Sequence, residues 1–286
     1  MRYAAIDIGS NSCRLLIAEK NDAGLSSLYR EIETTRIGAG LSRSGQISRE
    51  ATERSCRWMQ KIQPVMKDYQ VQRCRAVATS AVREASNSKE FVDEAARCMP
   101  IPVEIISGEE EARLSYTGVE NGLRLEHVPL VVDLGGGSAE FICNQLNFAV
   151  SLPVGAVRAT DMRMNADDIK ARLQPVQAMQ PKFMQYPLVM VGGTASTLAA
   201  IKLELREYDS VKVHGHHLTR QEVAEIYQLL ERTPLEQRKK LPGLQPQRAD
   251  IINAGALITL QIMDMLEKSE LIVSDHDLLQ GIIWSL

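Results

Sequence analysis

The sequence predicts an α/β fold made of two like domains, and three observations carry that prediction. Short apolar runs with strand patterning alternate with amphipathic helical stretches along all 286 residues. Two of the runs turn back on themselves about a small polar turn led by an aspartate, in "AAIDIGSNSCRLLI" and "LVVDLGGGSAEFIC". These segments superimpose without gaps, so that Asp7 falls on Asp133, Gly9 on Gly135 and Ser12 on Ser138, each 126 residues apart (133 − 7). Two domains that each begin with an Asp-tipped hairpin would face one another across a cleft.

Taken in order, residues 3–18 read as strand, turn, strand, and "SLYREIETTRIG" as a further alternating strand before a Gly/Ser-rich loop. Trp58, Met59, Ile62, Val65, Met66 and Tyr69 recur at helical spacing, with Pro64 as a candidate kink. "CRAVATS" is a short buried strand, Asn87 or Ser88 caps a helix carrying Phe91, Val92, Ala95 and Ala96, and "PVEIIS" is the next strand. Ser107 and Glu110 have the spacing of a capping box, as do Thr219 and Glu222. "YPLVMVGGTASTLAA" reads as strand, Gly-Gly-Thr turn and helix, residues 248–267 as a long apolar helix, and "LIVS" as a last strand before a terminal helix.

Composition narrows the function classes. A net charge of −3 gives no global field toward nucleic acid or an anionic membrane, so a polyanionic substrate must be met locally. No apolar run approaches the roughly 20 residues that span a bilayer. The start reads straight into a strand with no signal-peptide cleavage pattern. The five cysteines (13, 56, 74, 98 and 143) are odd in number, widely spaced and free of C-x-x-C, the pattern of reduced packing thiols in a cytoplasmic protein.

The turns carry the chemistry. Gly9 and Gly135, Gly136 and Gly137 remove Cβ where backbone must approach a ligand or adopt positive φ. Successive N–H groups in such a turn form an anion-binding nest, to which Ser10, Asn11, Ser12 and Ser138 add side-chain donors. Either turn alone is equally a tight hairpin, but two of them, each preceded by Asp, favour the anion cradle. The aspartates would need a cation, which points to Mg²⁺ between carboxylate and phosphate oxygens, with Glu140 on the returning strand nearby. "GGTAST" is a third Gly turn, whose N–H groups open a helix. Thr79, Ser80 and Arg83 lie in a loop after a short strand, and Arg suits bidentate phosphate contact. In "SGEEEA", acids at a helix start complement its dipole. With Glu110 used by the cap, Glu111 is left to face elsewhere, and a carboxylate beside like charges is a candidate general base. In "HGHH", alternation puts His214 and His216 on one strand face without acids or cysteines at ligand spacing, which favours a polar interface or surface strand over a metal site. The run "RKK" (238–240) reads as solvated surface or as the rim of a polyanion channel.

"DIGSNSCRLLIA", "ATSAVREA", "SGEEEARLSYTGV", "VVDLGGGSAEF", "GGTASTLAA" and "RADIINAGALI" occur in this order. Together they closely resemble the exopolyphosphatase / guanosine pentaphosphate phosphohydrolase (Ppx/GppA) family, from residue 3 to about residue 283. The resemblance implies two ribonuclease H-like domains of the actin-like ATPase superfamily flanking a cleft. The first would cover residues 1–116, with the helix 275–286 packing back on it, and the second 117–274. It implies a hydrolase that releases terminal orthophosphate from inorganic polyphosphate by metal-assisted in-line attack of water. The alternatives are a guanosine pentaphosphate 5′-phosphohydrolase and a non-catalytic guanosine tetraphosphate binder; a kinase or ATPase of the superfamily would need an acceptor pocket.

By resemblance Glu111 is the catalytic glutamate, and Asp133 and Glu140, with Asp7 as the other cleft acid, hold Mg²⁺ or Mn²⁺. Gly9, Ser10, Asn11, Ser12, Arg83, Gly135, Gly136, Gly137, Ser138, Gly193, Thr194 and Arg248 bind phosphate. The resemblance also implies a cytoplasmic homodimer that engages neither nucleic acid nor membrane. One departure stands out. Where the family has Ser-x-x-Gly-Leu-Arg-Glu-Gly, this chain has Asp277 for the Gly, Leu279 for the Arg and Gln280 for the Glu. That predicts loss of a helix-capping or interdomain ion pair.

Overall fold

Each half of the chain is built on a mixed sheet that begins as an antiparallel meander and continues with parallel strands. The computed structural model describes residues 1–21 and 24–286, which divide into one unit of Met1–Asn121 with Asp277–Leu286 and a second of Gly122–His276. In the first unit, β1 (Arg2–Ile8), β2 (Cys13–Asn21) and β3 (Gly24–Glu33) are antiparallel. The strands β4 (Arg73–Ala78) and β5 (Val103–Ile105) extend parallel from β1, giving the order β3-β2-β1-β4-β5.

The second unit holds β6 (Leu130–Leu134), β7 (Ala139–Cys143), β8 (Phe148–Leu152), β9 (Leu188–Val191), β10 (His216–Thr219) and β11 (Glu270–Val273), in the order β10-β11-β9-β6-β7-β8. Setting aside the antiparallel edge strand β10, the remaining five repeat the first sheet in order and direction. Both units are thus ribonuclease H-like, and the matched hairpins β1–β2 and β6–β7 occupy the same place in each.

Period-two alternation assigns the faces. In β1, Ala4, Ile6 and Ile8 point to a cluster with Trp58, Met59 and Ile62 of the helix Arg49–Asp68 and Phe91 and Ala95 of the helix Ser88–Cys98. Tyr3 and Ala5 point the other way, to Leu114 of the helix Gly108–Gly122 and Leu278, Leu279, Ile282 and Ile283 of the helix Leu278–Ser285. The C-terminal helix therefore covers one face of the first sheet. Asp7, two residues on from Ala5, shares that face. In the second unit one core joins Leu130, Val132 and Leu134 of β6 to Leu198 and Ile201 of the helix Gly193–Lys202, Val223 of the helix Arg220–Arg232, and Ile252, Ile258 and Ile262 of the helix Ile252–Met265.

Local chemistry differs from the sequence expectation at a few points. The helix Arg49–Asp68 runs through Pro64, and the apolar helix expected over 248–267 starts only at Ile252, after a short 3₁₀ turn at Pro246–Arg248. Ser107 accepts the Glu110 N–H at 3.1 Å, but the Glu110 carboxylate goes to Arg75 at 2.6 Å rather than back to the cap. Asn87 stands at a helix N-cap, yet its side chain pairs with both backbone groups of Ile47. His214 does not share a strand with His216. It follows a short helix, accepts the Asp275 N–H at Nδ1 (3.1 Å), sits with Nε2 3.1 Å from the Gly122 carbonyl, and stacks on His276.

The last helix keeps a cap, and the capping residue carries an ion pair of its own, with Arg14. Asp277 caps it, accepting from the Leu279 N–H, while Gln280 accepts the Asp277 N–H at 2.9 Å, a complete capping box. Leu279 is buried in the apolar cluster. The helix crosses the Gly108–Gly122 helix so closely that a Cβ on Gly281 would lie 1.8 Å from the Leu114 carbonyl oxygen. Gly281→Ala is therefore expected to destabilise the protein by about 3 kcal/mol, at the upper end of overpacking costs. Urea unfolding should show a lower midpoint at unchanged slope.

Candidate functional site

In each unit, most side chains singled out in the sequence follow the carboxyl ends of strands, where ligands of open α/β sheets bind. In the first unit β1 ends into the turn Gly9–Ser12, β4 into Thr79 and the short helix Ser80–Glu84, which holds Ser80 and Arg83 where a loop was expected, and β5 into the start of the Glu111 helix. The Thr79 N–H reaches the Ile8 carbonyl at 3.3 Å, tying two of these ends together. Arg83 donates through Nη1 to the Ile106 carbonyl at 2.9 Å and to Glu111 Oε2 at 3.0 Å. Glu111 is buried in the first turn of its helix. Glu111 thus has a guanidinium as a charged partner.

The two hairpin turns have the same skeleton. Gly9 N–H closes on the Ser12 carbonyl at 3.1 Å, and Gly135 N–H on that of Ser138 at 3.0 Å. Neither glycine has positive φ; both serve close approach, since a Cβ would lie 3.1 Å and 3.4 Å from those carbonyl oxygens. The turns differ in the residue facing the aspartate. Asp7 is in register with Arg14, and Asp133 with Glu140, the same offset of 126 (140 − 14).

Arg14 binds Asp7 Oδ2 at 2.8 Å and also pairs with Asp277. Asp7 Oδ1 and Asn11 Nδ2 are buried with no hydrogen-bond partner among the described residues, leaving an acceptor and a donor at the turn. Burial pushes the Asp7 carboxyl up against the pull of Arg14. Burial acts the same way on Asp277, but Arg14 and the Leu279 N–H override it and hold that carboxyl below its ordinary value.

In the second unit Glu140 is fully buried and accepts the Ser151 hydroxyl at 2.6 Å. The turn Gly192-Gly193-Thr194 abuts the same place: Gly192 has φ +94°, and a Cβ on it would lie 3.1 Å from Asp133 Oδ1. The Arg248 guanidinium lies against Gly193, 1.8 Å from where its Cβ would be, and is braced by Gln245 at 3.1 Å. Thr194 is buried against Gly255. This unit thus brings together Asp133, Glu140, the turn Gly135–Ser138, Gly193 and Arg248.

Residues 16–286 match the Ppx/GppA phosphatase family. The chain belongs to that family. It is 32% identical to exopolyphosphatase 2 of Mycobacterium tuberculosis, over 100% of this chain and 98% of that one. It is 31% identical to a bifunctional 3-dehydroquinate synthase/phosphatase of Fusobacterium nucleatum, over 98% of this chain but only 46% of that longer relative. It superimposes on the crystal structure of an exopolyphosphatase from Cytophaga hutchinsonii with a TM-score of 0.90, at 26% identity, over 100% of this chain and 97% of that one.

For this Ppx/GppA family member the fit of a divalent cation is decided by the donor set. Among the described residues no three His, Cys, Asp or Glu side chains converge as a metal site. Asp133 and Glu140 are a cross-strand carboxylate pair, which suits a Mg²⁺-like ion that takes one or two carboxylates and fills its shell with water and phosphate oxygens. Asp7, also expected as a ligand, pairs with Arg14 through Oδ2 and keeps Oδ1 without a hydrogen-bond partner among the described residues. Sequence reasoning missed Arg14, Asp277 and Ser151. The offset that aligned the two hairpins already pointed to Arg14 as the counterpart of Glu140.

The Arg14–Asp277 pair makes a pH prediction. A carboxyl depressed on folding adds stability above its ordinary value of 3.8, and that stability is lost as pH falls below it. Asp7, raised on folding, acts in the opposite sense. Asp277→Asn keeps a capping oxygen but loses the charge, so it should cost about 1–3 kcal/mol at pH 7. Its deficit relative to wild type should close toward the acid edge of stability. Urea titrations across pH would show an unchanging deficit if the ion pair contributed nothing.

Proposed function

We propose that this phosphatase hydrolyses the terminal phosphoanhydride bond of inorganic polyphosphate with a divalent cation, releasing orthophosphate. The observation that carries the reading is the carboxylate pair Asp133–Glu140 set beside a three-glycine turn and the Arg248 guanidinium. Likeness over nearly the whole of both chains to a protein named exopolyphosphatase supports polyphosphate as the substrate.

In this reading Asp133 and Glu140 hold Mg²⁺ or Mn²⁺, which when bound neutralises charge on the phosphate oxygens. Each of the turns Gly9–Ser12 and Gly135–Ser138 offers N–H and hydroxyl groups to phosphate oxygens, and Gly193, Thr194 and Arg248 add positive potential at a helix start in the second unit. The buried Asn11 amide supplies a donor that a phosphate oxygen would satisfy. Glu111, oriented by Arg83, accepts a proton from water as the water oxygen bonds to the terminal phosphorus and the bridging P–O bond breaks toward the shortened chain. Asp7, the third proposed metal ligand, has Oδ2 taken by Arg14 and Oδ1 without a hydrogen-bond partner among the described residues. Free thiols at all five cysteines support a reducing, cytoplasmic setting.

Glu111→Gln should cut turnover by about 10²–10⁴-fold while tripolyphosphate still binds by calorimetry. Near-normal phosphate release by that variant would remove Glu111 from the role of base. Chelation should abolish release, and Asp133→Asn should raise the half-saturating metal concentration. The substrate is tested by measuring phosphate release, with no acceptor present, from long polyphosphate, tripolyphosphate, guanosine pentaphosphate and ATP. Release from guanosine pentaphosphate alone would overturn the assignment.

A further inference from the structure

A turn whose carbonyls are held on one side keeps its N–H groups turned to the other, where successive N–H groups form a concavity for an anion. In both units the segment following the third strand does this holding. In the first, Gly38 N–H donates to the Ser10 carbonyl at 2.7 Å and Arg36 N–H to that of Asn11 at 2.9 Å. In the second, Ala156 N–H donates to the Gly135 carbonyl at 3.1 Å, and the N–H groups of Val157 and Arg158 to that of Gly136 at 2.8 and 3.0 Å. A glycine stands at each closest approach: a Cβ on Gly38 would lie 2.9 Å from Ser10 Cβ, and one on Gly155 2.5 Å from the Gly136 carbonyl.

The 126-residue offset maps Ser10 onto Gly136 and Asn11 onto Gly137 (10 + 126, 11 + 126). The Asn11 carbonyl receives a backbone N–H, from Arg36, whereas the Gly137 carbonyl receives a side chain, the Nε–H of Arg158 at 2.6 Å. We infer that Arg158 is a positioning residue for phosphate binding. Its Nε–H takes the place of the missing backbone donor, completes the row of held carbonyls at Gly135, Gly136 and Gly137, and so fixes the N–H face of the loop. The inference rests on reading Gly135–Ser138 as a phosphate loop. It goes beyond that reading because Arg158 acts through the loop rather than on the substrate.

Two substitutions separate this role from a charge effect. Gln carries an N–H donor on Cδ, as Arg carries Nε, whereas Met matches the length without a donor; both lose the positive charge. Arg158→Met is expected to raise KM for tripolyphosphate about tenfold or more, with a smaller change in kcat, and Arg158→Gln to stay within about threefold of wild type. Amide exchange at Gly136, Gly137 and Ser138 should speed up in Arg158→Met and be restored in Arg158→Gln, with thermal midpoints alike in all three proteins. Exchange at the loop needs no turnover, so it decides the inference even if wild type releases no phosphate from polyphosphate, a result that would sink the functional reading alone. Equal weakening in both variants would mean direct charge contact with the anion. That result, or unchanged loop exchange in Arg158→Met, overturns the inference.

Discussion

Everything at the sheet ends depends on holding the carbonyl side of two tight turns. A Gly/Ser turn left to itself has donors and acceptors on offer in many directions. Here the chain leaving β3 passes beneath Gly9–Ser12, and the chain leaving β8 passes beneath Gly135–Ser138, each spending its own N–H groups on the turn carbonyls. That return path requires glycine at Gly38 and Gly155, because a Cβ at either would meet the turn at under 3 Å. It also explains why the meander precedes the parallel strands in both units: only the third strand delivers its exit next to the hairpin of the first two.

On this shared scaffold one residue sets the charge. Opposite the aspartate stands Arg14 in the first unit and Glu140 in the second. Arg14 gives Asp7 a permanent counter-ion, and a second carboxylate, Asp277, closes round the same guanidinium. In the second unit the matching position puts a carboxylate opposite a carboxylate, and Glu140 accepts the Ser151 hydroxyl. The duplication thus yields one hairpin whose aspartate faces an arginine and one whose aspartate faces a glutamate.

Much of this was legible in the sequence. The gapless match of the two hairpins gave the repeat, and strand register then placed Glu140 across from Asp133, because antiparallel pairing about a fixed turn leaves no freedom. What escaped were contacts with no local signature. Arg83 and Glu111 lie 28 residues apart and meet only because β4 and β5 are neighbours. Arg158 is 21 residues from Gly137 and belongs to no Gly motif. His214 looked like a strand residue because alternation was extended one turn too far; its contacts to Gly122 and Asp275 depend on chain segments 92 and 61 residues away.

The departures in the last helix are better understood together than singly. With glycine at 277 no side chain would reach Arg14; with aspartate there, the carboxylate both caps the helix and binds that guanidinium. Once Asp277 is present, a glutamate at 280 would set a second negative charge beside the cap, whereas the Gln280 amide closes the box without one. Leu279 lies within the cluster of Leu278, Ile282 and Ile283 against β1 and β2, where an arginine would have to bury its charge or displace the helix. The three changes therefore form one compensated unit. They exchange whatever contact an arginine makes at that position for apolar burial, and they bind the C-terminal helix to the first hairpin through Arg14.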